Sequence, residues 1–195
     1  TKVTASSALV TISDAGTTNI DATDLSAIGG KTGGAVTVSN AINIQGNTAQ
    51  VTAALVTDDT KVLAANATVE ISNASTVAEL NALAPKAGVI TGSIAATSLA
   101  SLSGLATAGT DLITITVNDN AGDNLNATAL STLGGKTGGT VTVSNAVNIQ
   151  GNTSQVTAAL VTDETKVVAA NATVEISNAS TVAELNALAP KAGVI

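Results

Sequence analysis

AANATVEISNASTVAELNALAPKAGVI, residues 64–90, recurs without a change as residues 169–195. Read along its length, this stretch contains a strand, a short helix and the start of a second strand. Val69 and Ile71 alternate with Thr68, Glu70 and Ser72, the period-two pattern that turns one set of side chains to a core and the other to water. Thr76-Val77-Ala78-Glu79 has the spacing of a capping box, in which a hydroxyl and a carboxylate satisfy the free amides of a helix start. Val77, Leu80 and Leu83 then fall on one side, Pro85 stops the helix, and Gly88-Val89-Ile90-Thr91 resumes extended chain. So short a unit cannot enclose a core of its own, so it must bury its apolar side against neighbours of the same kind.

The repetition extends beyond this stretch. An offset of 105 residues carries Gly29 onto Gly134 and Asn66 onto Asn171, and residues 23–90 differ from residues 128–195 at eight positions, such as Ile42 against Val147. Two copies this similar must pack in similar surroundings, which suits members of an array. Inside each copy a shorter rhythm runs: apolar, any, apolar, any, then Asn or Asp. It is found at Val10-Ile12-Asp14, Val36-Val38-Asn40, Val69-Ile71-Asn73, Ile115-Val117-Asp119, Val141-Val143-Asn145 and Val174-Ile176-Asn178. The successive Asx positions are 26, 33 and 46 residues apart, and the long interval predicts a further strand at Gly88-Val89-Ile90-Thr91. Four coils per repeat, each about 26 residues, match strand-plus-helix solenoids.

The expected fold is therefore a β/α repeat solenoid, with a parallel β-sheet along one side and short helices or turns along the other. Residues 1–90 would form a first, partial repeat and residues 91–195 a second, continuous with it in one elongated domain cut from a longer array. Asp14, Asn40, Asn73, Asp119, Asn145 and Asn178 are expected to form a strand-end ladder, each side chain satisfying turn amides and stacking on its equivalents. Further helices are predicted at Asn47 to Gln50 with Val51 and Leu55 on one face, at Thr23, Leu25 and Ile28, and at the three-spaced Leu99, Leu102 and Leu105.

GGKTGG, at 29–34 and again at 134–139, ends like a phosphate-binding loop. That loop requires a glycine where this chain has Leu25 and Leu130, and a strand before it and a helix after it. Here the order is reversed, so the expected role is structural: Gly29 and Gly30 ending a helix in the left-handed conformation, Gly33 and Gly34 leading into a strand, and Lys31 in water.

Composition narrows the chemistry. The chain has 195 residues and no Cys, Met, Trp, Tyr, Phe or His, and its seven basic residues are all Lys. Without a thiol, an imidazole or a guanidinium fork, catalysis is not expected. A net charge of -7 opposes nucleic acid, and no run reaches the roughly 18 apolar residues of a membrane span. Asn118-Asp119-Asn120-Ala121-Gly122-Asp123-Asn124 clusters oxygen ligands, making Asp119 and Asp123 calcium candidates, although the first copy keeps only Asp14. No other metal or cofactor is expected. Thr37-Ser39, Thr114-Thr116 and Thr142-Ser144 project hydroxyls in pairs, the pattern of an ice-binding face, interrupted by Glu70 and Glu175. Asn66, Asn73, Asn126, Asn152, Asn171 and Asn178 each head an Asn-x-Ser/Thr sequon, which this composition generates readily.

Thr76-Val77-Ala78-Glu79-Leu80-Asn81-Ala82-Leu83, followed by Gly88-Val89-Ile90-Thr91-Gly92, resembles the units of giant bacterial extracellular tandem-repeat proteins, including cyanobacterial surface proteins. The resemblance implies a secreted or surface-attached structural role and assigns no catalytic residue. There is also a partial likeness to leucine-rich repeats, without their longer consensus. The expected function is mechanical, as an extracellular fibre, sheath or surface layer whose exposed terminal strands associate end to end. A calcium-dependent adhesin, an ice binder and a tandem of immunoglobulin-like sandwiches are the alternatives. Capping-box helices and the lack of Trp and Tyr weigh against the last.

Overall fold

Strands about 25 residues apart in sequence lie side by side and parallel, because each carries the same alternation of aliphatic and polar side chains and so has the same face to bury. The computed structural model describes residues 6–57, 60–162 and 165–195. The chain divides into two compact units, Thr1–Ser93 and Ile94–Ile195, each built from parallel β-structure with short helices between strands in a solenoid-like arrangement.

In the first unit β1 (Val10–Ile12), β2 (Asn19–Asp21) and α1 (Ala22–Gly29) make one coil, and β3 (Val36–Val38), β4 (Asn43–Gly46) and α2 (Thr48–Leu55) make the next. The third coil is a long strand, β5 (Val62–Ser75), followed by α3 (Val77–Leu83), a turn of 3₁₀ helix at Ala84–Lys86 and β6 (Ala87–Ile94) beside β5. Two rows of strands result. In one, Val10 pairs with Val36 and Val36 with Val62. In the other, Asn19 pairs with Asn43 and Asn43 with Thr68. β5 is long because it belongs to both rows, and the predicted strand at Gly88 to Thr91 lies inside β6.

The second unit opens with α4 (Leu99–Leu102), preceded by Thr97, which bridges to Val117. β7 (Leu112–Val117), β8 (Asn124–Asn126) and α5 (Ala127–Gly134) follow, then β9 (Val141–Val143), β10 (Asn148–Gly151) and α6 (Thr153–Leu160). β11 (Val167–Ile176), α7 (Val182–Leu188) and β12 (Ala192–Val194) close it. Ile115 pairs with Val141 and Val141 with Val167, while Asn124 pairs with Asn148 and Asn148 with Thr173.

The core is aliphatic. Val36, Ile42, Ile44, Val51, Val69, Leu80 and Leu83 are fully buried in the first unit, as are Ile113, Ile115, Leu130, Val141, Ile149 and Val156 in the second. The predicted alternation holds: Val69 and Ile71 point inward and Ser72 outward. The predicted capping boxes are present. Thr76 accepts from the Glu79 amide while Glu79 accepts from the Thr76 amide, and Asn47 and Gln50 do the same at α2. Leu25, Val51, Leu55, Leu99, Leu102 and Leu105 are buried as expected, whereas Ile28 is only half-buried.

GGKTGG works differently from the expectation. Neither Gly29 nor Gly30 is left-handed; Gly30 has φ -69° and ψ -7°, ordinary right-handed geometry. Gly29 is required by proximity: a Cβ there would stand 2.8 Å from the Thr60 Cα and closer still to its carbonyl oxygen, and Gly134 meets Thr165 in the same way. The neighbouring coil passes where a side chain would be. Lys31 is exposed, as predicted.

Candidate functional site

The polar side chains that the fold gathers are the Asx residues at the strand ends and in the second strand row. The six predicted ladder positions fall into two groups. Asn40 donates to the carbonyl of Asp14, one coil away, at 2.7 Å, and Asn145 donates to the carbonyl of Asp119 at 2.6 Å. These are contacts between equivalents, made through the backbone. Asn73 and Asn178 lie elsewhere. Because β5 continues into the second row, Val69-x-Ile71 pairs with Ile44 and Gly46, so Asn73 lies beside α2 instead of over Asn40. There its Oδ1 accepts from the Thr48 amide at 2.7 Å and the Thr48 hydroxyl at 3.0 Å, satisfying a free amide of the first helical turn. Asn178 holds Thr153 with the same distances.

Side chain to side chain ladders do exist, at positions that the strand-end motif does not mark. Asn43 Nδ2 donates to Asn19 Oδ1 at 3.1 Å, and Asn148 Nδ2 donates to Asn124 Oδ1 at 3.2 Å. One register step further, Gln45 donates to Glu70 and Gln150 to Glu175. The signal was present: Asn19-Ile20-Asp21, Asn43-Ile44-Gln45 and Thr68-Val69-Glu70 share one polar, apolar, polar pattern. It was hidden because these triplets lack the apolar-x-apolar-x-Asx form.

Among the described residues, Glu79 and Glu184 are the two carboxyls whose surroundings clearly move them. The amide and then the hydroxyl of Thr76 bond Glu79 and hold it below the usual carboxylate range, against a small opposing effect of burial. Thr181 does the same for Glu184. Both shifts reflect helix capping.

The calcium candidates are each engaged with a backbone amide. Asp119 Oδ2 accepts from the Leu99 amide at 2.7 Å, at the start of α4, and Asp123 Oδ2 accepts from the Asn120 amide at 2.9 Å. Among the described residues no group of three or more His, Cys, Asp or Glu converges on one point. The paired hydroxyls of the ice-binding pattern are also partly engaged: Ser39 Oγ donates to the Ile12 carbonyl and Ser144 Oγ to the Val117 carbonyl. That row continues into aliphatic side chains, since Thr37 pairs with Leu63, which is 58% exposed. Glu70 and Glu175, expected to interrupt it, stand in the second row.

A cleft of about 320 Å³ lies between α4 and α5, lined by Leu99, Leu102, Leu105 and Leu133 together with Asn126 and Lys136. It exists because α4 has a single turn where α5 has eight residues. It offers apolar contact and one ammonium group. Among the described residues no helix is long and apolar enough to cross a membrane. No family model, no curated protein and no solved structure matches the chain.

Proposed function

We propose that this chain is a structural array protein whose coils stack as a continuous β/α solenoid, four coils to each 105-residue repeat, in an extracellular fibre, sheath or surface layer. One observation carries the reading. The identical stretches 64–90 and 169–195 form the same helix with the same capping box and the same Asn-to-Thr brace onto the preceding coil, one set in each unit. The polar side chains brought together by folding serve to hold one coil to the next. Such a molecule gains stability from neighbour contacts, so that length is set by the number of coils and load passes through many parallel hydrogen bonds.

The side-chain inventory agrees with a mechanical role, with acceptors and hydroxyls for bracing, aliphatic groups for packing, and no aromatic, thiol or imidazole group. An acidic surface keeps neighbouring arrays from collapsing on one another and from binding polyanions. Negative-stain or cryo-electron microscopy of the native material, with fibre diffraction, tests the proposal. Filaments with a repeat near 4.8 Å along the long axis are expected. Discrete single molecules, or the two copies folded as separate globules, would sink it.

A further inference from the structure

The cleft between α4 and α5 sets this helix pair apart from its neighbours in the second unit. α5 and α6 have eight residues each and pack side by side, whereas α4 has a single turn and covers less of α5. The space left is about 320 Å³ and is lined wholly by residues of the second unit. Leu99, Leu102, Leu105 and Leu133, all buried, form its apolar floor. The polar groups around it are unequally engaged. Ser103 Oγ donates to the Ala100 carbonyl at 2.7 Å, Thr132 Oγ1 donates to the Thr128 carbonyl at 2.9 Å, and Asn126 Oδ1 accepts from the Ala129 amide at 3.1 Å. Asn126 Nδ2, the Thr128 hydroxyl and the Lys136 ammonium have no bonding partner among the described residues, and all three can donate. No carboxylate lines the cleft. Lys136 is half-buried, and its backbone is fixed there because the Thr107 hydroxyl donates to its carbonyl at 2.7 Å.

We propose that this cleft binds a free, unbranched acyl carboxylate of medium length, with its hydrocarbon on the four leucines and its carboxylate at Lys136. An apolar floor with a few polar groups on one side is the usual construction of a small-molecule site. The carboxylate supplies acceptors where the uncommitted groups are donors, and its charge is opposite to that of Lys136, so the bond formed is a charge-assisted one. Volume sets the length: at roughly 30 Å³ for each water-sized group, the cleft holds about ten non-hydrogen atoms. Other ligand classes fit less well. A cation would be repelled by Lys136, and a sugar would lose its hydrogen bonds to water against a floor of leucines. Because the chain as a whole carries a charge of -7, long-range attraction of an anion is weak, and affinity comes from contact inside the cleft. The site stands apart from the stacking proposal and holds whether or not filaments form.

The test is titration of the full chain, labelled at its leucine methyl groups, with decanoate and separately with decanol, followed by nuclear magnetic resonance. Saturable shifts at Leu99, Leu102, Leu105 and Leu133 are expected, with one decanoate bound per chain. Lys136→Gln removes the ammonium and should weaken decanoate about tenfold while leaving decanol unchanged. Ala129→Leu, at an exposed position of α5 that lines the cleft, fills the space and should weaken both compounds at least about tenfold, with the melting temperature retained. Absence of saturable shifts below the concentration at which decanoate self-associates overturns the proposal. So do shifts at leucines outside the cleft alone, or an affinity that Ala129→Leu leaves unchanged. Equal weakening of decanoate and decanol by Lys136→Gln would overturn the placement of the carboxylate.

Discussion

Thr137 grips both backbone groups of Ile113: its hydroxyl accepts from the Ile113 amide at 2.9 Å and lies 2.7 Å from the Ile113 carbonyl oxygen, with the Asp111 carbonyl at 3.0 Å. The same oxygen accepts from the Gly139 amide at 2.9 Å. Thr137 is 1% exposed, and its counterpart Thr32 bonds the Ala8 carbonyl at 2.6 Å. This threonine of GGKTGG is a crosspiece between neighbouring coils. Thr137→Val keeps the shape but strands the buried Ile113 amide and the half-buried Gly139 amide, which should cost roughly 2 to 4 kcal/mol in urea unfolding. Thr137→Ser keeps the hydroxyl and should cost about 1 kcal/mol. Equal losses for the two variants would refute the crosspiece.

Adjacent glycines should respond oppositely to alanine. Gly29 faces the Thr60 backbone with no room for a methyl, so Gly29→Ala should lose roughly 2 to 3 kcal/mol. Gly30 has helical φ and ψ and its nearest heavy atom to a new Cβ is 3.4 Å away. Gly30→Ala should be neutral or up to about 1 kcal/mol more stable through the unfolded chain. Denaturant midpoints for the pair decide whether proximity or backbone conformation selected these residues.

A conformational argument applies instead at Thr17 and Gly122, which correspond under the 105-residue offset. Both are left-handed, with φ of 69° and 85°, and each amide donates to the facing carbonyl, Ala41 or Ala146, at 2.8 Å. A β-branched residue is strained there, so Thr17→Gly should gain about 0.5 to 1 kcal/mol, and Gly122→Thr should lose at least about 1 kcal/mol. Thermal melting of the two exchanges would show it. A loss in both directions would place the strain elsewhere.

Acid should loosen the two capping boxes. The folded-state pKa of Glu79 and Glu184 lies below the ordinary value of 4.5, so their contribution to stability is complete above that value and disappears as pH falls through the lowered one. Gln serves the same position at Gln50 and Gln155. The double variant Glu79→Gln, Glu184→Gln should therefore keep the caps and show a shallower loss of stability between neutral and strongly acid pH. An unchanged slope on acid titration would show that these carboxyls do not govern the acid response.

Local elements were legible in the sequence because their signals are local. The Thr76 to Glu79 box, the Asn47 cap, the Val69 to Ile71 alternation and the strand around Val89 each depend on residues within one turn or a few positions. Partners across coils were harder to read. The motif that placed Asn73 over Asn40 ignored the length of β5, which carries its second half into another strand row, and register depends on which faces are buried together. The Asn19–Asn43 ladder and the Thr137 crosspiece escaped for the same reason, since their partners lie 24 residues away.

Taken alone, the amino-acid order determined the repeat, the aliphatic character of the core, the caps and the parallel direction of the strands, since periodicity and capping chemistry operate within a single coil. Tertiary structure decided which Asn meets which helix, why Gly29 has no side chain, and that Thr137 bonds the backbone of Ile113 in the neighbouring coil. Burial and close approach belong to the neighbouring coil, and no residue carries its neighbour's position in its own sequence.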